Sequence, residues 1–526
     1  MGRTRATLGT DLAIIARDVG ALLAIEAGLM TVSVLVALAF GEWYAAAAFV
    51  IAGVATGLVG GFARRAFADA PAPKMKHGMV IAAAGWFLVA VFGALPFLLA
   101  AYLLPAEVAA AYVPDGAAYG SSLRYFRDPL HALFESMSGW TGSGLTMAVH
   151  EPTLPRAIQW WRSVIQYVGG VGVIVLTVTI LARPGSGSYA LYRSEAREEK
   201  IHPSVVSTVR TVWKLFIGYT VFAIVVLFVA IRLSDYGSTL PLWEVGWQAL
   251  NHGMTGLSTG GFSVTDNSIA TYDSPLVETV LLPVMGLGAI AFPVHYAVVQ
   301  QGEYRKLVED VQTRWLLILF VVGALGLTLQ NLVTFSPALS LRDSTFQFVS
   351  ALSCTGFQSS PIGRWSAGGK LVVSGAMVLG GAAGSTVGGI KLIRGYTIVR
   401  GIRWQFSRVF LPKSAVVSTR LGDRVLDREA MEREFSEAAI VSLLWLLLLL
   451  ASSLVLVNVA GPEFTLADAL FEVASAQGNV GLSAGITGPK MPAVAETMFL
   501  FNMWIGRLEI IPVLVFARAT LYGLNP

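Results

Sequence analysis

Four short glycine-containing segments, each placed between two long apolar runs, constrain the fold of this chain more than any other feature. The segments align on one glycine each, namely Gly144, Gly261, Gly356 and Gly481. A bulky apolar residue follows each of these glycines, and a hydroxyl-bearing residue stands six positions before it, at Ser138, Thr255, Ser350 and Ser475. The fold must therefore place four similar turns beside apolar segments.

Long apolar runs dominate the composition of the chain. Hydrophobic residues make up 55% and charged residues 13%, and this balance is too apolar for an ordinary globular surface. A membrane-spanning helix needs about 20 mostly apolar residues. Hydropathy predicts ten such spans, at 20–40, 44–62, 79–103, 159–182, 212–233, 276–300, 314–335, 371–397, 437–460 and 495–518. We therefore predict an all-α polytopic membrane protein.

Basic residues concentrate in four connections between the predicted spans. They are Arg64, Arg65, Lys74 and Lys76; Arg183, Arg193, Arg197 and Lys200; Arg305 and Lys306; and Arg403, Arg408, Lys413, Arg420 and Arg424. If the spans alternate in direction, these connections lie on one side together with the N-terminus, and the positive-inside rule makes that side the cytoplasm. This pattern favours the interpretation that the basic residues orient the protein in the membrane over the alternative that they bind nucleic acid. The expected location is the plasma membrane, the inner membrane of a prokaryote, in contact with lipid.

The organisation predicted from these runs is a leading helix pair at 1–76 followed by four units of one plan. Each unit contains a span, a loop, a short helix, a glycine turn and a second span, at 77–200, 201–311, 312–425 and 426–526. The short helices cannot cross a bilayer, so each must enter the membrane and return on the same side. The four repeats are predicted to pack in a pseudo-fourfold arrangement.

Glycine at the four turns is typical of a pathway lined by backbone oxygens. Irregular backbone inside a membrane is tolerated only when it is buried in protein or faces water. Carbonyl oxygens can replace the hydration shell of a cation, and glycine permits positive φ without a side chain in the path. A single such turn is explained equally well by a helix C-cap or by close helix packing. Four turns in register favour an ion filter.

The side chains near the turns favour conduction over catalysis. They are neutral and polar, and include Thr141, Ser143, Ser258, Thr259, Thr355 and Asn479. No nucleophile with an adjacent base stands out, so we predict that the chain is not an enzyme. The lone cysteine, Cys354, excludes an internal disulfide and a multi-cysteine metal site.

A glycine-rich segment from Gly380 to Lys391 interrupts the eighth predicted span. It lacks the Gly-Lys-Ser/Thr order of a phosphate-binding loop. Its small residues predict a break in the helix near the pathway, with close helix packing as the alternative. Arg507 and Glu509 lie in the last predicted span, where ionisable groups are costly. Since they are two residues apart, each is expected to need another partner.

Four stretches of the chain resemble the Trk/Ktr/HKT superfamily of cation transporters, most closely the Trk-type potassium-uptake membrane subunit. The resemblance extends over about residues 80–520 and is carried by the segments at 161–175, 292–296, 380–394 and 506–509. It implies potassium-selective uptake across the plasma membrane through a pore with four glycine turns. A sodium- or proton-coupled secondary transporter with weaker discrimination is the alternative that the residues leave open.

The resemblance also implies roles for particular residues. Potassium, as the substrate, would contact mainly the backbone carbonyls of Gly142, Ser143, Thr259, Gly260, Cys354, Thr355, Asn479 and Val480, next to the filter glycines Gly144, Gly261, Gly356 and Gly481. In the family, a serine at the first filter glycine accompanies weaker discrimination against sodium, so Gly144 favours potassium. The implied gate consists of Gly380, Gly381, Gly384, Ser385, Thr386, Gly388, Gly389, Lys391 and Arg507, with Arg507 reaching carbonyls of the glycine-rich segment.

Partners are implied by the resemblance as well. It implies a homodimer and a cytosolic nucleotide-binding ring that regulates opening. The chain has no dinucleotide-binding fingerprint of its own. We therefore expect no covalently bound cofactor, and any nucleotide would act through that partner, docked near 183–211 and 394–430.

Overall fold

The first two helices, α1 (Gly2–Ala39) and α2 (Trp43–Ala66), pack along each other and precede the repeated part of the fold. The structure is a computed structural model that describes residues 2–181, 205–334, 341–410, 419–422 and 424–524. The basic residues Arg183, Arg193, Arg197, Lys200 and Lys413 lie outside the described residues, as does the predicted unit boundary between 200 and 201.

The first two units are each built around a short buried helix. The first contains α3 (Met75–Gly93), α4 (Leu95–Leu103), α5 (Ala106–Ala111), α6 (Pro129–Thr141) and α7 (Arg156–Leu181), with 3₁₀ turns at Ser122–Arg127 and Glu151–Thr153. The second contains α8 (Val205–Leu233), α9 (Asp235–Ser238), α10 (Leu242–Leu257), α11 (Pro275–Ala289), α12 (Phe292–Gln301) and α13 (Lys306–Glu309), with a 3₁₀ turn at Ser268–Tyr272.

The last two units repeat this plan. The third contains α14 (Val311–Val333), α15 (Leu341–Leu352), α16 (Ala367–Leu379) and α17 (Leu392–Val409), a 3₁₀ turn at Ile362–Arg364, and an antiparallel hairpin of β1 (Thr419–Leu421) and β2 (Arg424–Leu426). The fourth contains α18 (Arg428–Val459), α19 (Leu466–Gly478), α20 (Ala493–Arg507) and α21 (Ile511–Tyr522). The short helices α6, α10, α15 and α19 are called the re-entrant helices below.

The ends of the re-entrant helices are specified locally. The Asp128 carboxylate accepts a hydrogen bond from the Leu130 N–H at 2.8 Å, and Pro129 occupies the first turn of α6. At α19, Thr465 and Asp468 form a capping box. Because these signals begin helices of only 13 residues each, neither helix is long enough to cross the membrane.

Apolar side chains cover the outside of the protein, as expected for a protein surrounded by lipid. Only 22% of the most apolar window of α14 is buried, and its exposed residues include Val321, Leu325, Leu329 and Leu332. In the described part of the chain, six helices are long and apolar enough to cross a membrane, and the number is eight if each of two bent helix pairs is one span. The chain is an all-α, multi-pass membrane protein.

Two predicted spans are sharply bent. The span at 276–300 is divided into α11 and α12, which are bent by 106°, and the span at 495–518 into α20 and α21, bent by 112°. A proline follows each break, at Pro293 and Pro512, and proline cannot continue the hydrogen bonding of a preceding helix. The third-unit span is also divided, between Leu379 and Leu392, at the glycine-rich segment.

Candidate ion pathway

Each re-entrant helix ends in the same hydrogen-bonded turn. The residue before the aligned glycine donates its N–H to the carbonyl of the hydroxyl-bearing residue five positions earlier. The N···O distances are 2.8 Å for Ser143 to Ser138, 2.8 Å for Gly260 to Thr255, 2.9 Å for Thr355 to Ser350 and 2.9 Å for Val480 to Ser475. This bond closes the helix end in the manner of a Schellman motif.

The hydroxyl groups of these residues reinforce three of the four turns. Thr255 and Ser350 donate to the carbonyls of Phe262 and Phe357, at 2.9 and 2.8 Å. Ser475 instead accepts the Gly481 N–H at 3.0 Å. Ser138 Oγ has no hydrogen-bond partner within the described residues. The hydroxyl pattern in the sequence therefore reflects local support of the turn rather than a ligand.

Left-handed backbone recurs at alternate residues of the four turns. The four aligned glycines have φ of 75°, 79°, 77° and 105°. The residues two positions earlier, Gly142, Thr259, Cys354 and Asn479, have φ of 68°, 52°, 52° and 54°. The residue between each such pair is outside the left-handed region. This alternation turns successive peptide groups, so that carbonyls are available along one side of each turn.

The four turns close into a ring. A β-carbon added to Gly144 would meet the Gly260 carbonyl oxygen, one on Gly261 would meet that of Thr355, and one on Gly356 would meet that of Val480. A β-carbon on Gly481 would lie 2.7 Å from the Ser143 carbonyl oxygen, which returns to the first turn. Each glycine thus faces the carbonyl that precedes the glycine of the next turn, and any side chain there would enter the space that the carbonyls line.

A polar residue nine positions before each aligned glycine supports the segment that follows the turn. It accepts a hydrogen bond from the backbone N–H three residues after the glycine. The pairs are Glu135 and Met147 at 2.8 Å, His252 and Val264 at 3.5 Å, Gln347 and Ser359 at 3.2 Å with the amide oriented to satisfy both its groups, and Glu472 and Ala484 at 2.7 Å. The shared role of these four residues was not predicted from the sequence, although alignment on the glycines would have placed them together.

Arg162 links the segments around the first two turns. It is 1% exposed, and it donates to the Glu135 carboxylate at 2.7 Å and to the Ser263 carbonyl at 2.7 Å. Its guanidinium also lies over the Phe262 ring, 4.2 Å from the ring centroid. Gln166, one helical turn further along α7, donates to the Gly260 carbonyl at 2.6 Å. Arg162 and Gln166 therefore hold the second turn against the first unit.

The glycine-rich segment packs into the break between α11 and α12. The Ala382 N–H donates to the Ala289 carbonyl at 3.1 Å, and the Phe292 N–H donates to the Gly384 carbonyl at 3.0 Å. Gln312 accepts the Ala383 N–H at 2.8 Å. The segment is therefore irregular in backbone but satisfied in hydrogen bonding, as membrane depth requires.

Arg507 ties the middle of this segment to the first unit. Its guanidinium donates to the Thr386 carbonyl at 2.6 Å and to the Gly169 and Gly170 carbonyls at 2.8 and 3.0 Å. Arg507 is 5% exposed. Thr386 in turn lies against the second turn, because its hydroxyl is 2.9 Å from that of Thr259. The structure thus brings Arg507 and Thr386 of the predicted gate next to Thr259 of the predicted filter.

Glu509 has its own partners at the other end of the segment. It pairs with Arg394 and lies 3.6 Å from the Lys391 ammonium. Glu509 itself, with φ of 57°, stands in the break between α20 and α21. Arg507 and Glu509 therefore face different partners, as their spacing predicted.

The charged side chains of the pathway do not form a metal centre. Within the described residues, no group of three or more His, Cys, Asp or Glu side chains is placed to hold a metal ion. Cys354 is buried as a free thiol. The oxygens that the aligned glycines face in the ring are backbone carbonyls, which are neutral.

A multi-pass helical fold with four re-entrant turns around one axis defines a class of membrane cation transporters. The chain matches the TrkH family, described as cation transport protein, over residues 47–522. It belongs to this family of Trk-type potassium uptake transporters and is a transporter rather than an enzyme.

Known relatives agree with this assignment. An uncharacterized cation transporter of Methanocaldococcus jannaschii is 33% identical over 449 residues, which cover 85% of this chain and 83% of the relative. The Trk system potassium uptake protein TrkH of Escherichia coli is 28% identical, with 85% and 86% covered. The crystal structure of the potassium transporter TrkH from Vibrio parahaemolyticus has a TM-score of 0.78 and 24% identity, with 97% of this chain and 99% of that chain covered, and it shares the fold.

Proposed function

We propose that the chain takes up potassium selectively across the plasma membrane through the ring formed by its four glycine turns. The observation that carries this proposal is the closure of the ring, in which each aligned glycine faces the carbonyl before the next one. Cations would pass in single file between these oxygens, which replace water in the hydration shell.

The ligands proposed for potassium are mainly the carbonyls of two residues per turn. They are Gly142 and Ser143, Thr259 and Gly260, Cys354 and Thr355, and Asn479 and Val480. None of the eight residues carries an acidic side chain, so discrimination between cations depends on carbonyl number and spacing rather than on charge. Glycine at all four aligned positions keeps this spacing similar around the ring, which supports a preference for potassium.

The proposed gate is the segment from Gly380 to Lys391 together with Arg507. A guanidinium held by carbonyls below the ring places a positive charge next to the path, and such a charge is an electrostatic barrier to cations. The hydrogen bonds from Arg507 to Thr386, Gly169 and Gly170 keep it there. Opening of the gate would require the segment to move away from the ring, which would break its hydrogen bond with Arg507.

Regulation is proposed to come from a cytosolic nucleotide-binding ring, on a chain that forms a homodimer with its N-terminus in the cytoplasm. In the described residues, α17 and the hairpin pack around a cluster of Trp404, Leu421, Leu426 and Met431. Helix α17 follows the glycine-rich segment directly, since it begins at Leu392. A partner bound near 394–430 would therefore act on the gate through α17.

Rubidium uptake by cells that lack their own potassium uptake tests this function. We expect the chain to support uptake that excess potassium inhibits more strongly than excess sodium. Gly261→Ser should lower the preference for potassium by about tenfold, or about 1.4 kcal/mol, because a β-carbon there meets the Thr355 carbonyl. Gly326→Ala is the control, since a β-carbon at Gly326 meets nothing within 4 Å.

Two results would contradict the proposal. Absence of uptake by protein that reaches the membrane would exclude potassium transport. Unchanged sodium competition in Gly261→Ser would exclude the ring as the filter. Measurements on proteoliposomes address the alternative mechanism, because uptake that requires a sodium or proton gradient would identify a coupled transporter.

A further inference from the structure

Each re-entrant helix is joined by one polar bridge to the second membrane helix of the preceding unit, which gives four bridges in all. They are Arg156 with Glu244 at 2.7 Å, Glu278 with Arg342 at 2.7 Å, Lys370 with Asp468 at 2.5 Å, and Glu496 with His131 at 2.8 Å. They connect units one and two, two and three, three and four, and four and one. The bridges therefore form a closed cycle around the four turns, and they are called the inter-unit bridges here.

One inter-unit bridge differs from the others in chemistry. Three of them pair an arginine or a lysine with a carboxylate, so both partners stay charged across the physiological pH range. The fourth pairs Glu496 with His131, and histidine alone among the eight partners changes its charge between pH 5 and 8. The cycle of charge pairs is therefore complete only when His131 is protonated.

The surroundings of this bridge make the protonation state matter. The Glu496 side chain is 1% exposed and that of His131 is 13% exposed. The charged groups that face His131 are Glu496 on α20 and Asp128 at the beginning of α6. In the described residues, His131 is the hydrogen-bond partner of the Glu496 carboxylate. Loss of the imidazolium charge would leave a buried carboxylate without an opposite charge, which is unfavourable.

The position of the bridge connects it to the filter. Glu496 and Arg507 stand 11 residues apart on α20, so the bridge lies about 16 Å along the helix from the proposed gate. His131 lies near the start of α6, and α6 leads directly into the first glycine turn at Gly142. A shift of α6 at His131 therefore moves the turn that follows it without touching the glycine-rich segment.

We propose that His131 and Glu496 are positioning residues whose charge pair holds the first glycine turn in the ring. Transport then depends on the pH on the side of the membrane where the re-entrant helices begin. This inference rests on the proposed function of the ring. Protonated His131 completes the cycle of bridges, while deprotonation weakens the contact between the fourth and first units. Transport is then highest below neutral pH and falls as the pH on that side rises.

Rubidium uptake measured against external pH tests the proposal. Between pH 5.5 and 8.5, we expect wild-type uptake to fall by about fivefold, as loss of one coupled buried pair predicts. His131→Arg, which carries a permanent charge, should remove this fall, and so should Glu496→Gln, which removes the buried carboxylate. His150→Gln is the control, because His150 contacts Asp266 at the surface and takes part in none of the bridges; it should keep the wild-type profile.

A stability measurement separates failure of this inference from failure of the proposed function. The thermal unfolding midpoint of the purified wild-type protein should fall as pH rises through the histidine range, and that of His131→Arg should not. If neither protein transports rubidium but the midpoints diverge with pH, the transport function fails and the bridge stands. Parallel pH profiles of wild type and His131→Arg in both measurements would overturn the inference, as would loss of pH dependence in His150→Gln.

Discussion

The hydroxyl groups of Thr259 and Thr386 lie 2.9 Å apart and join the second glycine turn directly to the glycine-rich segment. Thr386 also donates to the Gly288 carbonyl at 3.0 Å, and its own carbonyl accepts from Arg507. One residue of the segment therefore contacts the ring, the helix break of the second unit and the buried arginine. A movement of the proposed gate at Thr386 would therefore also move the second turn of the proposed filter.

Thr386→Val tests this connection with little change in volume. The variant loses the two hydroxyl hydrogen bonds, which are worth about 1 kcal/mol each, so the segment should leave its closed position more often. We expect basal rubidium uptake to rise by about thirtyfold, as about 2 kcal/mol predicts. Thr397→Val is the matched control, because the Thr397 hydroxyl donates to the Ile393 carbonyl of its own helix. Equal uptake by the two variants would contradict the connection.

Arg507 variants should separate its charge from its hydrogen bonds. Arg507→Ala removes both the positive charge and the contacts to three carbonyls, so we expect basal uptake to rise by about tenfold or more. Arg507→Lys keeps the charge but cannot reach Thr386 and the Gly169 and Gly170 carbonyls together, because an ammonium lacks the guanidinium fork. Its uptake should lie between those of wild type and Arg507→Ala.

Uptake measured with and without a cytosolic partner checks this prediction. If Arg507→Ala leaves both the rate and its regulation unchanged, the arginine is not part of the gate. If Arg507→Lys behaves like Arg507→Ala, the geometry of the contacts rather than the charge forms the barrier.

The local form of the four glycine turns could be predicted from the sequence, because its determinants lie within a few residues of one another. The hydroxyl six residues before Gly261 or Gly356 belongs to the same helix end, and the glycine itself is required by positive φ. Four copies of this local pattern were enough to predict four turns in one ring. The breaks before Pro293 and Pro512 were not predicted, because the two segments at each break are together apolar enough to pass as one span.

Contacts between units could not be predicted in the same way. His131 and Glu496 are 365 positions apart, and the charges of the four inter-unit bridges do not follow a common order, since the re-entrant helix supplies the acid in two bridges and the base in the others. No spacing rule links such partners. Glu509 pairs with Lys391 and Arg394. These partners, too, could be identified only from the structure, which places the glycine-rich segment beside the end of α20.

Glu135→Ala should destabilise the protein more than Glu472→Ala, although the two residues occupy equivalent positions. Glu135 is the carboxylate that Arg162 contacts at 2.7 Å, and the Arg162 side chain is 1% exposed. Removal of Glu135 leaves this buried cation without its hydrogen-bonded carboxylate, at a cost of about 3–5 kcal/mol. Within the described part of the chain, the donors to Glu472 are neutral and include Ser483 and Thr487. Its removal should cost about 1–3 kcal/mol.

Thermal unfolding of the purified variants measures this difference. Arg162→Met combined with Glu135→Ala should recover part of the lost stability, because the unpaired buried charge is then absent. Equal unfolding midpoints for Glu135→Ala and Glu472→Ala would show that the ion pair with Arg162 contributes little to the first turn.

Glu509→Gln tests how the end of the glycine-rich segment is held. The substitution keeps the shape of the side chain but removes the negative charge that faces Lys391 and Arg394, both of which are buried. The two cations then lose the carboxylate charge that they share, so the attachment of the segment at the break between α20 and α21 should weaken. We expect faster cleavage by added protease near residues 380–391 and a raised basal uptake. Glu434→Gln, near the start of α18, is the control, and cleavage at the wild-type rate in Glu509→Gln would contradict the proposed attachment.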